Sequence, residues 1–218
     1  MNLNTWKGKT FRFLTAQTIS LFGSSLVQYA IVWYITLTTS SGKMLTISTL
    51  CGFLPQILIS LFAGVWIDRY DRKRLIMLSD GVIAFSTLLL ALAFLSGYKN
   101  IWFLFAVLII RSAGTGIQTP AVNAIFPQLV PKEHLMRMNG LNSTLSSFMM
   151  FLSPAAGGAI LSAAPLEAAL FIDVVTAVIG ISITSAIKIP PYAPSDVKEE
   201  SNFHKIAEGI SYIKENPF

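Results

Sequence analysis

The sequence predicts an all-α membrane protein with six transmembrane helices. Of its 218 residues, 53% are hydrophobic and only 12% are charged, and the mean hydropathy is +0.62. About a quarter of the residues in a soluble domain are charged, so this composition is typical of a chain that lies mostly in lipid. Six apolar runs each supply the roughly 20 residues that a spanning helix needs. We place them at residues 11–37, 44–67, 75–96, 101–123, 138–163 and 167–187.

Basic residues alternate strongly between the two sides of these predicted spans. Thirteen of the 16 precede span 1 or follow spans 2, 4 and 6, whereas Lys43 and Lys99 lie on the other side and Arg111 lies within span 4. Positive charge resists translocation, so we expect both termini in the cytoplasm. The net charge of +5 is therefore a topology signal that brings loops near anionic lipid, and we expect no nucleic-acid partner.

The connections between spans predict one bundle. Residues 38–43, 97–100 and 164–166 are the only links on the predicted outer side, and helices joined so tightly are antiparallel neighbours. Strands are unfavourable because an open sheet edge in lipid leaves backbone groups unpaired. We assign residues 1–188 to the bundle.

Residues 189–218 differ in character and predict a cytoplasmic linker. Prolines at 190, 191 and 194 interrupt helix formation, and residues 203–213 then alternate apolar and polar positions at helical spacing. This pattern indicates an amphipathic helix at the membrane surface. We expect the linker to lead to a further segment of the protein.

Four spans carry polar side chains at spacings that place them on one helical face. The proposed lining residues are Gln17, Ser20, Ser24 and Gln28 in span 1, Gln118 in span 4, and Asn142 and Ser146 in span 5. Such residues commonly join packed helices by hydrogen bonds. Because four spans share the pattern, we favour a water-accessible cavity for a small-molecule substrate.

Three charged residues fall within or close to apolar runs. Arg111 lies deep in span 4, where a charge costs a few kcal/mol, so it must face the interior. It either only holds the bundle together or couples transport to protons through a nearby carboxylate, for which Asp173 is the candidate. Asp173 lies towards the outer end of span 6 and is alternatively a water-exposed carboxylate, and we assign Asp80 to the charged turn before span 3.

Several classes of chemistry have no signature here. No Gly-rich loop for nucleotide phosphates occurs, no catalytic nucleophile motif is present, and two histidines with one cysteine make no metal cluster. We therefore expect no cofactor, no metal and no enzymatic activity, and an ion gradient as the source of energy.

Three motifs resemble those of the major facilitator superfamily. The turn after span 2 resembles the superfamily's signature, with Asp71 where the family usually has glycine. The matching residues are Gly64, Asp68, Arg69, Arg72 and Lys73. Arg111 with Gly114 and Gly116 is similar to the span-4 motif. Pro154, Gly157 and Gly158 resemble the span-5 motif that is linked to antiport.

A finer resemblance is to the bacterial macrolide-efflux and enterobactin-exporter branch. It rests on residues 126–135 with Asn139 and Gly140, and on the opening residues 11–14. The resemblance implies a proton-driven exporter of amphipathic drugs or siderophores in the bacterial inner membrane, with a gate at the charged turn. Superfamily members have two six-helix halves with the substrate between them, so we expect the N-terminal half, with a second half as its partner. The alternative is a membrane fragment that does not transport.

Overall fold

The computed structural model describes residues 6–189, which form six α-helices and one short 3₁₀ turn at Lys132–His134. The helices are α1 (Trp6–Thr39), α2 (Gly42–Arg69), α3 (Arg72–Leu95), α4 (Ile101–Leu129), α5 (Leu135–Ala163) and α6 (Leu166–Ala186). All six are long and apolar enough to cross a membrane, so the predicted all-α class and the six spans are confirmed. The predicted linker with its amphipathic helix lies, beyond residue 189, outside the described residues.

The helix ends follow local capping signals. Asp71 accepts a hydrogen bond from the Arg74 backbone N–H at 2.9 Å and so caps α3, and Asn100 caps α4 through the Trp102 N–H at 2.9 Å. Gly97 has a φ of +85° in the turn before α4, a conformation that glycine adopts without strain. Asp71, which stands where the superfamily motif usually has glycine, therefore has a structural role as the N-cap of α3.

The largest difference from the predicted spans is in α4. This helix continues to Leu129, six residues beyond its predicted end, and runs through both Pro120 and Pro127. Proline is a weak boundary signal in a membrane helix because neighbouring helices and side chains satisfy the carbonyls that it frees.

Contacts between loops place alternate connections at the same end of the bundle. The Trp6 and His134 rings stack with centroids 4.9 Å apart, and Lys73 donates to the Ile187 carbonyl at 2.8 Å. The start of α1, the α2–α3 and α4–α5 connections and the end of α6 therefore meet at one end, which we call the basic end. Lys99 and Glu167 form an ion pair at the opposite end.

The packing pattern has an internal repeat of three helices. The two units are α1–α3 and α4–α6. The first helix of each unit packs against the last two helices of the other unit: α1 packs against α5 and α6, and α4 packs against α2 and α3. Exchanging α1–α3 with α4–α6 reproduces the same set of neighbours, and α3 meets α6 on the axis of this exchange. Two three-helix repeats are the arrangement expected within half of a major facilitator protein.

The interior consists of two apolar clusters with polar layers between them. Near the basic end, Phe13, Ile76 and Phe126 belong to one buried cluster. Near the opposite end, Ile35 and Leu104 belong to the other. The buried polar side chains of Ser20, Asp80, Arg111 and Asp173 lie between the clusters, so the bundle has a polar interior at mid-height.

Small residues allow α1 and α6 to approach closely at this height. A Cβ atom added at Gly23 would lie 1.9 Å from the Thr176 hydroxyl oxygen and 3.1 Å from the Asp173 Cα. One added at Gly180 would lie 3.1 Å from the Ala16 carbonyl oxygen. Membrane helices associate largely through such close packing, so these glycines set the separation of α1 from α6.

We expect Gly23→Ala to destabilise the bundle by about 1–3 kcal/mol, the usual cost of overpacking. The added methyl group would displace Thr176 and press on the α6 backbone. Thermal unfolding of the detergent-purified protein measures the effect. Gly140→Ala is the matched control, because a Cβ there meets no atom within 4 Å. Equal unfolding temperatures for the two variants would contradict the assignment of Gly23 to a packing contact.

Candidate functional site

A buried ion pair joins two helices at the centre of the bundle. The Arg111 guanidinium on α4 contacts the Asp173 carboxylate on α6, and the two side chains are 3% and 0% exposed. The position of Asp173 corrects the alternative that it faces water. Its helix begins only seven residues earlier, but α1 and α3 cover it completely.

Hydrogen bonds from two further helices complete this layer. Arg111 Nη2 donates to the Ser24 carbonyl at 2.8 Å, and the Ser24 hydroxyl donates to Asp173 Oδ1 at 3.0 Å. The Thr87 hydroxyl lies 2.9 Å from Asp173 Oδ2 and also contacts Arg111 Nη1. The pair therefore holds α1, α3, α4 and α6 together, and we call these four residues the ion-pair layer.

A second polar layer lies about two helical turns nearer the basic end. Asp80 on α3 is 2% exposed, and its Oδ1 accepts hydrogen bonds from Ser20 on α1 at 3.2 Å and from Gln118 on α4 at 2.6 Å. The assignment of Asp80 to the charged turn is therefore wrong. Residue 80 is already in the third turn of α3, which begins at Arg72, and the helix points it at α1 and α4.

A concavity of about 270 Å³ opens beside these layers, between α1, α2, α4 and α5. Five of the predicted site residues lie on its wall, namely Ser24, Gln28, Arg111, Gln118 and Ser146. A smaller hollow of about 50 Å³ shares Gln118 and Ser146 with it and adds Gln17 and Asn142. Of the predicted lining residues only Ser20 lies elsewhere, because it faces Asp80 inside the bundle.

Several N–H groups at this site have no hydrogen-bond partner among the described residues. They are Arg111 Nε, Gln28 Nε2 and Gln17 Nε2. Buried donors of this kind are normally paired with protein, water or a ligand. Arg111 and Gln28, which line the concavity, therefore each hold an unpaired donor that is buried in this conformation. Among residues 6–189 no cluster of His, Cys, Asp or Glu side chains could hold a metal ion.

The basic turn fastens helix ends to one another. Arg72 donates to the Ala124 carbonyl of α4 at 2.7 Å, and Lys73 donates to the Ser185 carbonyl at 2.7 Å in addition to Ile187. Gly64, Asp68 and Arg69 are exposed. Basic side chains are well suited to bind carbonyls at helix C-termini, so two members of the predicted motif hold the basic end of the bundle together.

The span-5 motif lies against α1. A Cβ added at Gly157 would lie 3.2 Å from the Leu26 carbonyl oxygen, whereas one at Gly158 would reach only Trp33, at 4.0 Å. Pro154 lies within α5, one turn before Gly158. Gly157 is therefore the member of this motif that sets the distance between α1 and α5.

Sequence reasoning missed Thr87, Gln56 and Ser112. Thr87 follows Asp80 by two helical turns, and that spacing was the available signal for a polar face on α3. Ser112 accepts a hydrogen bond from the Gln56 backbone N–H at 3.0 Å, and both residues line the concavity. A single polar residue in an apolar run does not reveal which neighbour it meets.

Sequence comparison identifies the family. The profile of the major facilitator superfamily matches residues 13–218. The chain belongs to the major facilitator superfamily. The polytopic membrane protein predicted from the sequence is thereby confirmed, and superfamily members of this kind transport solutes and are not enzymes.

Similar proteins include named efflux proteins. Macrolide efflux protein A of Streptococcus pyogenes is 34% identical over 98% of this chain and 53% of its own length. The staphyloferrin A transporter of Staphylococcus aureus is 27% identical over 69% of this chain and 38% of its own length. The chain thus spans about half the length of the relatives it matches.

A solved structure has the same fold. A bacterial homologue of the human lysosomal transporter Spinster, in an inward-facing and unoccupied conformation, superposes with a TM-score of 0.62 at 18% identity. The match covers 100% of this chain and 50% of that one. This likeness supports the fold assignment.

We expect Arg111→Ala and Asp173→Ala each to destabilise the protein by about 3–5 kcal/mol, because each leaves one buried charge unpaired. The double variant should regain part of that loss, since it leaves no charge behind. Unfolding of the purified proteins in a double-mutant cycle measures the coupling. Lys99→Ala is the control: its ion pair is 3.6 Å long with Lys99 54% exposed, and such surface pairs contribute about 0–1 kcal/mol. Additive single effects would contradict the pairing.

Proposed function

We propose that the protein exports amphipathic small molecules such as macrolides by proton antiport. The observation that carries this proposal is the concavity whose wall includes Arg111, the partner of the buried Asp173, in a chain of a transporter superfamily. Such a site combines an apolar wall with a few directed polar groups, which is the usual construction of small-molecule sites.

The lining favours a substrate with both apolar surface and acceptor oxygens. Phe53, Tyr29 and Met150 contribute apolar area. The unpaired N–H groups of Gln28 and Arg111 are buried in this conformation and donate to a carbonyl or hydroxyl oxygen once a side-chain rotation exposes them. Macrolides have both properties, and the name of the relative from Streptococcus pyogenes supports that class. A siderophore is the second candidate, and the similarity to the staphyloferrin A transporter favours it.

We propose that a second six-helix half covers the concavity. Residues of α2 and α5 form part of the wall of the concavity, and the large apolar residues of these two helices are mostly exposed in this chain. Superfamily proteins bind substrate at mid-membrane between their two halves, and the chain spans about half the length of its relatives. Without such a partner, the alternative of a non-transporting membrane fragment applies.

We place the protein in a bacterial inner membrane with the basic end in the cytoplasm. Thirteen basic residues belong to that end by sequence, and positive loops are retained inside. Export then moves substrate from the basic end to the opposite end. The Arg111–Asp173 pair couples this movement to protons when its ion pair opens and closes, because it joins four helices across the route.

Narrowing the concavity should impair efflux. Ser146 is exposed on its wall, so Ser146→Trp in the full-length protein should raise accumulation of a labelled macrolide in cells. A protonophore should raise accumulation in the wild type to the same level. Ser147→Trp is the matched control, because Ser147 is exposed but outside the lining. If cells that express the wild type accumulate as much labelled macrolide as cells that lack the protein, export of macrolides is refuted.

We further propose that Asp68 acts as a latch at the basic end. Asp68 is exposed and forms no ion pair or hydrogen bond within residues 6–189, so its carboxylate is free to bind the second half. Asp68→Asn should reduce efflux by the full-length protein while its amount in the membrane stays at the wild-type level. Glu133→Gln, an exposed carboxylate at the same end, is the control. A loss of folded protein in place of activity would assign Asp68 a structural role only.

A further inference from the structure

Asp80 is a buried carboxylate to which the proposed mechanism assigns no role. Its exposed fraction is 2%, and Ser20 and Gln118 donate to Oδ1. Its other oxygen, Oδ2, accepts no hydrogen bond from any side chain within residues 6–189. A structural role would be served equally well by an amide at this position, so the ionisable group requires an explanation.

Within the described part of the chain, no cation lies in the same layer as Asp80. From α4 the charged group that faces it is Arg111, two helical turns away, or about 10 Å at 1.5 Å per residue, and it is bound to Asp173. From α6 the charged group is Asp173 itself, which carries the same sign. From α1 the layer receives Ser20, which is uncharged. On α3 the cations Arg72, Lys73 and Arg74 precede Asp80 by six to eight residues, or about 9–12 Å along the helix axis, and Lys73 binds carbonyls at the end of α6.

The two polar layers therefore differ in charge. The ion-pair layer has one positive and one negative group and is neutral as it stands, so binding a proton there requires the pair to break. The Asp80 layer has one negative group and two neutral donors. Burial of an unpaired carboxylate is costly, and a proton bound at Oδ2 removes that cost without breaking any ion pair.

Gln118 connects Asp80 to the concavity. Its side chain donates to Asp80 at 2.6 Å and also lines both the larger concavity and the smaller hollow. A carboxylate holds this amide N–H as an acceptor, whereas a protonated carboxyl is a weaker acceptor and has a donor of its own. The amide has a second N–H, and its bond to the Asp80 carboxylate holds that group towards the concavity. Protonation of Asp80 weakens this bond and so removes the ordered donor from whatever occupies the concavity.

We propose that Asp80 is a proton-binding site of this transporter and that Gln118 links its protonation to substrate in the concavity. The linkage to substrate rests on the proposed function, whereas proton binding does not. The proton is carried on the Asp80 carboxyl oxygen and leaves when Gln118 again donates to the carboxylate. Substrate binding at Gln118 and proton binding at Asp80 therefore oppose each other, as antiport requires.

Infrared difference spectroscopy of the full-length protein in lipid vesicles tests the proton site directly. Between alkaline and acidic buffer, the wild type should gain a C=O stretching band of a protonated, buried carboxyl group, and ¹³C-labelled aspartate should shift that band. Asp80→Asn should lose it. Glu167→Gln, which removes a carboxyl from the opposite end of the bundle, should retain it. A band that persists in Asp80→Asn overturns the proposal.

A second variant keeps the test decisive if Asp80→Asn does not fold. Asp80→Glu retains a carboxyl in the same layer, but a glutamate carries no label when only aspartate is ¹³C-labelled. The C=O band of the protonated carboxyl should therefore appear at the frequency of an unlabelled group. If the labelled aspartate band instead stays in Asp80→Glu, Asp80 is not the group that binds the proton.

Transport by reconstituted protein tests the link to substrate. In vesicles, Asp80→Asn should lose macrolide uptake driven by an imposed pH gradient but retain counterflow, which exchanges substrate without net proton movement. Gln118→Ala should keep the infrared band of Asp80 and lose the effect of added macrolide on it. Gradient-driven uptake by Asp80→Asn at the wild-type rate, or loss of its counterflow as well, contradicts the link.

The two experiments separate the proposals. If the wild type transports no macrolide but shows the Asp80 band, the proposed substrate fails and the proton site stands. If the wild type transports macrolide and the band persists without Asp80, the proposed function stands and the proton site fails.

Discussion

The ion pair of Arg111 and Asp173 is the interaction on which the rest of the bundle depends. A charge at the centre of a membrane is tolerated only when it faces the interior and finds partners. Here the partners come from three other helices, because Ser24, Thr87 and Asp173 all contact the guanidinium. The rotation of α1, α3, α4 and α6 about their axes is therefore constrained at one height.

The packing around this pair follows from that constraint. Four helices can surround the polar layers only if their backbones come close, and Gly23 and Gly180 permit this between α1 and α6. Above and below, the apolar clusters containing Leu104 and Phe126 close the interior. Lys73 then fastens the end of α6 at the basic end. The result is a rigid inner set of helices, against which α2 and α5 pack through one face.

The functional proposals follow from the concavity that lies beside the polar layers. Polar side chains of α1 and α4 face the concavity while their neighbours on the same helices hold the interior together, so the concavity and the helix contacts share a layer. Gln118 belongs to both sets, since it lines the concavity and binds Asp80. A site of this construction can transmit the presence of a ligand to a buried charge through one hydrogen bond.

The sequence by itself determined the class, the six spans, their alternating direction and the family. Lipid demands that each span satisfy its own backbone hydrogen bonds and that basic loops stay on one side, and both demands are visible residue by residue. The polar face of α1 was also predicted; Ser24 and Gln28 line the concavity and Gln17 lines the smaller hollow. Only the tertiary structure decided that Ser20 faces inward and that Asp80 and Asp173 are buried. Position along a span gives depth in the membrane, whereas burial depends on which neighbour covers that face, and this is set by contacts such as that of Gly23 with α6.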